Sequence, residues 1–423
     1  MSASSRVRSL SACAVLVACS LALSSCGALQ RQSDPEADAS GTNPGGAVTG
    51  GAPTKDQGGH TSTVSNVAMA APPKLSAPLL SSDVLVYSQD TLSPQIISSI
   101  RNIRTKAGVK AITSVEPISM ASFYVDEQEI TYAAVNPATF RRFTPQGTAQ
   151  TQAVWDRVAD GEIAVNPPTA KRLQTKDGYL KLGNEPKSPT VHIGAYAQIL
   201  DPTYARQIDA VVNSKWVKPL GMRQNNAMIV SMGSPSPQSI LKQLKKVAGN
   251  DASVQILGPN FDLSVQTVVP TGGSVAAAIG SFSYTPHPDG TVTPDPKWVA
   301  AKIRSETMPI IGPVTGNIVM LPQLKGALQE VVKTGLASAI YHYDGCFVPR
   351  FINHNPADGL SNHTFGTAID LNASDNQRGT AGKMNRQVVA IFKKWGFAWG
   401  GDWHYTDPMH FELARLVSPR SEG

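Results

Sequence analysis

Hydrophobic positions fall into two stretches of the chain with different grammar. From Asp83, "DVLVY" is a β-branched run, followed by Ser93 as a helix cap with Pro94 at the first helical position. Ile96, Ile97, Ile100 and Ile103 then recur on one face, and Gly108 is the stop. The pattern predicts a strand, a helix and a second strand. Much the same order returns at "MIVSMGSPSPQSILKQLKKVAGNDASVQIL". There Ser236 and Pro237 open a helix, Ile240, Leu241, Leu244 and Val247 face inward, and Gly249 closes it before a strand from Val254 to Leu257. The two units form a weak internal repeat. Alternating runs between them, "EITYAAV", "EIAVNP", "YLKLG" and "TVHIGAYAQI", are broken by turn residues, so 83–262 is expected to be one α+β domain. It has no cluster of His, Asp, Glu or Cys at ligand spacing and no glycine-rich phosphate loop, which suits a binding or spacer domain.

Residues 263–285 are expected to be a linker, and a second α+β domain, 286–423, is expected to begin within the turn-rich "SYTPHPDGTVTPDPKW". Pro322 opens a helix whose Leu324, Leu328, Val331 and Val332 form an apolar stripe ended by Gly335. "SAIYHY" suggests a strand, and Lys383 to Trp395 another helix stopped by Gly396.

Composition changes the picture at the N-terminus. "MSASSRVRSLSACAVLVACSLALSSCG" has a basic start, an apolar middle and small residues before Cys26, the layout of a secretory signal over 1–25. Leu23-Ser24-Ser25-Cys26 resembles the lipobox of bacterial lipoproteins, which implies diacylation of Cys26 after cleavage; the alternative is a plain signal ending in a chance cysteine. Two acyl chains supply the two anchoring signals that stable membrane attachment needs. Residues 26–82 are dominated by Gly, Ser, Thr, Pro and Ala, with almost nothing large to bury, and are expected to be a disordered tether with a reach on the order of 40 Å. No later run reaches the roughly 18 apolar residues of a membrane span. The net charge of +6 falls to about +4 without Arg6 and Arg8, too little to suggest a nucleic-acid partner. With Cys13 and Cys19 in the signal and Cys26 lipidated, Cys346 has no intrachain partner and is either buried or reactive.

Five of the eight histidines lie between 342 and 410. In "SNHTFGTAIDLN" a strand starting after Gly366 puts Ala368, Asp370 and Asn372 on one face, and Gly366 has the backbone freedom to fold His363 back over it. "HFEL" alternates as a strand with His410 and Glu412 on the face opposite Phe411 and Leu413, and Asp407 in the turn before it. Two histidines and an aspartate converging from neighbouring strands make a three-ligand zinc site with an open fourth position. Asp407, set apart by Pro408, is then free to act as a general base. The competing reading is a buried, hydrogen-bonded trio without metal.

Ser361-x-His363, Gly366, Ala368 and Asp370, with the downstream Asp407-Pro408-Met409-His410-Phe411-Glu412, resemble the signature of VanY-like zinc D-alanyl-D-alanine carboxypeptidases and their L-alanyl-D-glutamate peptidase relatives. These belong to the lysostaphin, D-Ala-D-Ala carboxypeptidase and hedgehog-type fold, a small antiparallel sheet with helices. The resemblance covers about the last third of the chain. It implies Zn2+ held by His363, Asp370 and His410, and water activation by Asp407, where many relatives carry Glu. The family also has an arginine ahead of its first ligand, which points to Arg350; guanidinium suits an oxyanion or a terminal carboxylate, and an ordinary structural arginine is the alternative. The order of elements in 83–262 resembles the extracellular domain of MacB/FtsX-type ABC permeases, by pattern alone.

For the remaining candidates both roles stand open. Ser361 can brace the bend or contact substrate, Trp399 and Trp403 can wall a cleft or fill the core, and His404 can sit at a substrate rim or be exposed. The expected function is a membrane-anchored zinc metallopeptidase on the outer face of a bacterial membrane, acting on peptidoglycan stem peptides, most simply as a D-Ala-D-Ala carboxypeptidase. L-alanyl-D-glutamate cleavage on the same site is one alternative, and a non-catalytic wall-binding or transporter-associated lipoprotein is the other. None of these motifs bears on oligomeric state.

Overall fold

The computed structural model describes residues 67–173, 177–183, 185–233, 235–250 and 252–417; the expected signal, Cys26 and the tether up to residue 66 lie outside them. The described chain is mixed helix and sheet, and its C-terminal part is built on a small antiparallel sheet. Among the described residues no helix is long and apolar enough to cross a membrane.

Residues 67–82, assigned by composition to the tether, lie extended along the first domain. Their carbonyls find polar side chains there: Asn213 Nδ2 donates to Val67 O at 2.9 Å, Gln152 Nε2 to Pro72 O at 2.8 Å and Arg141 Nη1 to Pro73 O at 3.2 Å. A Pro-rich segment cannot complete a sheet ladder, so side chains satisfy it instead.

The first domain is a nine-stranded sheet of β1 (Val84–Ser88), β2 (Ile112–Val125), β3 (Gln128–Val135), β4 (Ile163–Val165), β5 (Tyr179–Lys181), β6 (Thr190–Tyr196), β7 (Ala210–Asn213), β8 (Ala227–Met232) and β9 (Ala252–Ile256). Their spatial order is β5-β6-β4-β7-β3-β2-β8-β1-β9. The two expected strand-helix-strand units interleave, because β1 pairs with both β8 and β9, and β8 also pairs with β2. Helix Pro94–Arg101 is capped by Ser93, and helix Pro237–Ala248 starts after Ser236 and ends at Gly249, whose φ is +80°. Alternation along the strands feeds two cores. Val84, Val86 and Val230 pack with Ile100, Ile240 and Leu244 on one face, while Leu85, Tyr87 and Ile229 join Phe140 and Trp155 on the other.

The second domain contains three small sheets: β10 (Gln266–Val268), β11 (Phe282–Pro286) and β12 (Val292–Pro294); β13 (Ile303–Met308) with β14 (Gly312–Asn317); and β15 (Tyr343–Gly345), β16 (Ala368–Leu371), β17 (Phe397–Trp399) and β18 (His410–Leu413) in the order β15-β16-β18-β17. Residues 263–285, expected as a linker, carry β10, helix Ser274–Ile279 and the start of β11. Val268, Val275, Ile279 and Phe282 belong to this domain's core, with Phe282 stacked on Trp298 at 4.2 Å. Short apolar runs rich in Gly and Ala concealed that packing. Helix Leu321–Lys333 has Pro322 in its first turn and buries Leu324, Leu328 and Val331, but Val332 faces solvent. "SAIYHY" is a 3-10 turn and a loop; the strand starts only at Tyr343. There Asn372, left-handed and outside β16, accepts from the Tyr341 and His342 amides and takes over the pairing that a longer strand would supply. Helix Arg386–Lys394 is capped by Asn385 and packs Val388 and Phe392 inward.

The domains share backbone hydrogen bonds. Ser122 of β2 donates to Val269 O at 2.9 Å and accepts from Thr271 N at 2.8 Å. The β2–β3 hairpin is thereby held alongside the second domain.

Glu116, buried on β2, gives a test of the sheet's interior. Burial raises its carboxyl from 4.5 to about 7, against the lowering by the Thr139 hydroxyl and Arg142. A carboxyl whose folded pKa is raised contributes most below its unfolded value and loses that contribution as pH rises through about 7. Glu116→Gln should therefore raise the melting temperature by about 2 °C or more at pH 8 and by much less at pH 5. Thermal unfolding at the two pH values checks this, and equal shifts would contradict it.

Candidate metal centre

The site is assembled from one cross-strand pair and one bend. β16 and β18 are antiparallel, with Asp370 directly opposite His410 and Ala368 opposite Glu412. Directly opposed side chains on one face lie within about 5.5 Å at Cβ, so pairing alone brings Asp370 and His410 together. Ile369 and Phe411, one residue along, enter the core.

His363 comes from the 3-10 turn Asn362–Phe365. Ser361 caps its start by accepting from the His363 amide, and Gly366 ends it at φ 64°, ψ 28°. A side chain does not fit at Gly366: an added Cβ would lie 2.9 Å from Asn317 N and 3.0 Å from the Ile303 Cδ1 methyl. The left-handed conformation and this close approach both require glycine. Asn317 fixes the bend from beneath, donating from Nδ2 to Phe365 O at 3.0 Å and from its amide to Gly366 O at 2.8 Å.

His363 Nδ1 donates to the Cys346 carbonyl at 2.8 Å, which leaves Nε2 as the bare ring nitrogen. Nε2 stands 3.2 Å from Asp370 Oδ2 and is buried without a hydrogen-bond partner, and His410 Nδ1 stands 3.1 Å from Asp370 Oδ1. A tetrahedral ion about 2.0–2.1 Å from each donor separates its ligands by roughly 3.3 Å, so these three side chains have a spacing that suits zinc. Ligand atoms of all three lie within 4.8 Å of one another. The expected trio converges as the sequence pattern required.

Charge around the trio also favours a cation. Glu127, Asp407 and Glu412 are at most 7% exposed and gather about His410. Burial alone would lower the His410 imidazole, but Glu127, Asp370 and Glu412 push it well above its ordinary range. Burial acts to raise the Asp370 carboxyl, yet His363 and His410 hold it well below. So much buried negative charge is costly unless a cation balances it, and a divalent ion between the two imidazoles and Asp370 would do so.

Asp407 lies in the turn expected for it. Its amide donates to Gly400 O at 2.8 Å, and its carbonyl accepts from His410 N at 3.0 Å. Its Oδ1 is buried and makes no hydrogen bond. Burial, Asp370 and Glu127 raise its carboxyl to about 6, while His410 and Arg378 work the other way.

The remaining candidates divide. Ser361 is fully buried and braces the bend. Trp403 is buried, with its ring 5.2 Å from that of His410. Trp399 belongs to the core, donates to Pro408 O at 2.8 Å and has Arg386 over its ring at 4.3 Å, so it supports the Asp407 turn. His404 is exposed and, with Trp403, Tyr405, Arg378 and Glu127, lines a groove of about 400 Å³ beside the site. Cys346 is buried under the bend, 3.8 Å from Gly366 O, and burial pushes its thiol well up, which removes the reactive reading. Arg350 has its backbone on the turn that carries His363, accepting from Ser361 N at 3.1 Å, while its guanidinium donates to Phe351 O at 3.3 Å.

Two residues that the motifs did not mark reach the site. Arg378 Nε lies 3.9 Å from Asp407 Oδ2, and its guanidinium stacks on Tyr405 at 5.5 Å while donating to Asn353. Glu127 comes from the turn of the β2–β3 hairpin, and Ser361 Oγ donates to its Oε1 at 3.0 Å. The alternating strands around "VDEQ" mark a hairpin in the sequence, but no local signal tells which surface its tip meets.

Comparison with solved structures finds a domain of a protein described as a permease from Porphyromonas gingivalis, 14% identical over 42% of this chain and 88% of that chain, with a TM-score of 0.23, a level from which no common fold follows. Residues 354–413, which hold the whole trio and Asp407, match the family model described as D-alanyl-D-alanine carboxypeptidase, supporting at a coarse level a peptidase of that type.

Proposed function

We propose that this chain is a zinc metallopeptidase that hydrolyses peptidoglycan stem peptides, with removal of a terminal D-Ala as its first expected reaction. The observation that carries the reading is the meeting of His363 Nε2, Asp370 and His410 Nδ1 beside an unpartnered Asp407 Oδ1. His363, Asp370 and His410 would hold the ion. Bound zinc supplies a Lewis acid for a scissile carbonyl and lowers the pKa of a water molecule to about 7.

The chain's own residues account for the rest. Asp407, raised to about 6, is mostly ionised at neutral pH yet basic enough to take a proton at Oδ1 and return one to the leaving amine. Arg378, rather than Arg350, is the cation that reaches Asp407; it can orient that carboxylate and offer a fork to a substrate carboxylate or developing oxyanion. Buried Trp403 limits water behind His410, and the groove beside Tyr405 and His404 is where a stem peptide would lie. We place the protein on the outer face of a bacterial membrane, anchored through Cys26, where the cell wall is within reach.

Incubating the zinc-loaded protein with purified muropeptides, followed by mass spectrometry, tests the function directly. Loss of one D-Ala supports the carboxypeptidase, an internal cut supports the L-alanyl-D-glutamate alternative, and unchanged peptides reject both. His363→Ala should lose both metal and activity. Asp407→Asn should keep near-stoichiometric zinc while activity falls by about 10² to 10⁴-fold; loss of its metal would make Asp407 a ligand. Arg378→Gln should reduce kcat/KM at least about tenfold with zinc retained, and Arg350→Gln should have a smaller effect. The reverse order would restore Arg350 to the catalytic role. Cys26→Ala should move the protein from the membrane fraction to the soluble one, and continued pelleting without attached lipid would remove the anchor.

A further inference from the structure

The tip of the β2–β3 hairpin belongs to the first domain, yet it is built into the candidate metal centre. Val125 pairs with Gln128, so the turn consists of two residues, Asp126 and Glu127, with φ of 48° and 58°. Two-residue turns of this hand favour Asn-Gly or Asp-Gly, because both positions need positive φ. Glutamate at the second position bears a conformational cost that glycine would avoid.

What the tip obtains in return is contact with the catalytic loop. Glu127 is 3% exposed, accepts from Ser361 Oγ at 3.0 Å and has a carboxylate oxygen within 4.8 Å of ligand atoms of both Asp407 and His410. On the same hairpin Glu129 Oε2 accepts from Leu360 N at 2.7 Å, and Tyr124 packs edge-on against Phe365 at 5.5 Å. Gly359 has no space for a side chain, since an added Cβ would stand 2.5 Å from Glu129 Cβ. The hairpin therefore grips residues 359–365, the segment that carries His363, on both sides of Glu127.

Resting on the zinc metallopeptidase reading above, we infer that Glu127 is a further protein donor to the same metal ion, supplied across the domain boundary, and that an incoming peptide must displace it. Three protein ligands leave zinc a fourth position for water or substrate, whereas a fourth protein ligand closes the site. Glu127 is grouped with His410 and Asp407 and not with His363 and Asp370, so a side-chain rotamer change would bring it to the ion from the open side, where the substrate carbonyl and the base have to meet. Because the hairpin backbone is fixed by Ser122 pairing with Val269 and Thr271, the displacement is a rotation of the Glu127 side chain out of the site, with the hairpin left in place. The first domain then controls how readily the second one accepts substrate.

Metal binding in the full-length protein tests this apart from peptidase activity. Glu127→Gln, close in shape, and Glu127→Ala should each still bind one zinc per chain but release it to a competing chelator at least about tenfold more readily than the parent. Their Co2+-substituted forms should differ from the parent in the visible ligand-field spectrum, and muropeptide turnover should rise at low substrate concentration. Unchanged chelator competition and an unchanged cobalt spectrum in both variants would overturn the inference while leaving the metallopeptidase reading intact. Two zinc ions per chain in the parent would also overturn it, by assigning Glu127 and Asp407 to a second ion. A fall in turnover with unaltered metal affinity would make Glu127 a catalytic group instead. A parent that binds no zinc, like His363→Ala, would remove both readings together.

Discussion

The left-handed turn at Gly366 is the constraint on which the candidate site depends. Sheet pairing supplies two donors almost automatically, since Asp370 and His410 are direct partners on β16 and β18. It cannot supply the third, because residues before β16 would continue along the strand and away from His410. The reversal at Gly366, closed by Ser361 at one end and gripped by Asn317 at the other, carries His363 over the same face. The bend then does a second job. It places the Cys346 carbonyl against Nδ1, so that the other ring nitrogen faces Asp370. Backbone conformation, tautomer and donor geometry thus follow from one glycine and its neighbours.

Electrostatics makes the candidate site favourable to a cation. Glu127, Asp407 and Glu412 are buried around His410, and Asn362 offsets only part of that charge by donating to Glu412 at 2.6 Å. Such a cluster would be expensive in an apolar interior with no counter-charge. The same field separates the roles of the aspartates. Asp370, between two imidazoles, is held in its anionic form as a ligand must be, while Asp407, farther from positive charge and next to other carboxylates, is raised toward the range of a proton acceptor. Two chemically identical groups less than 40 positions apart are thereby driven in opposite directions by their surroundings.

Much of this was legible in the sequence because the decisive relations are local. The strand after Gly366, the alternation in "HFEL" and the turn at Asp407-Pro408 are written in consecutive residues, and the cap at Ser93 occurs where side-chain chemistry demands it, whereas the last helix starts at Arg386, after an Asn385 cap, and not at Lys383. What escaped was non-local. Arg378 reaches Asp407 only through the loop that stacks it on Tyr405, whereas Arg350, near His363 in sequence, turns its guanidinium to a neighbouring carbonyl. Residues 263–285 resembled a linker because their apolar runs are short and broken by Gly and Ser, yet Val275 and Ile279 find partners in the core from distant segments. Val332 failed in the opposite way: helical spacing marks a stripe, but the width of the buried face depends on what lies opposite.

The β2–β3 hairpin of the first domain reaches the candidate metal centre of the second, and the shared pairing at Ser122 joins the two domains beside it. The contacts of Glu127 with Ser361 and of Glu129 with Leu360 oppose relaxation of the costly turn conformation at Asp126 and Glu127. Among the described residues of the first domain, Glu127 is the one that joins a group of possible metal-holding side chains, and it does so with Asp407 and His410 of the second domain. The large sheet thus does more than space the second domain from its surroundings: it supports the hairpin that sets the position of one buried carboxylate beside His410 and Asp407, and under the inference above a substrate would compete with that side chain for the same space.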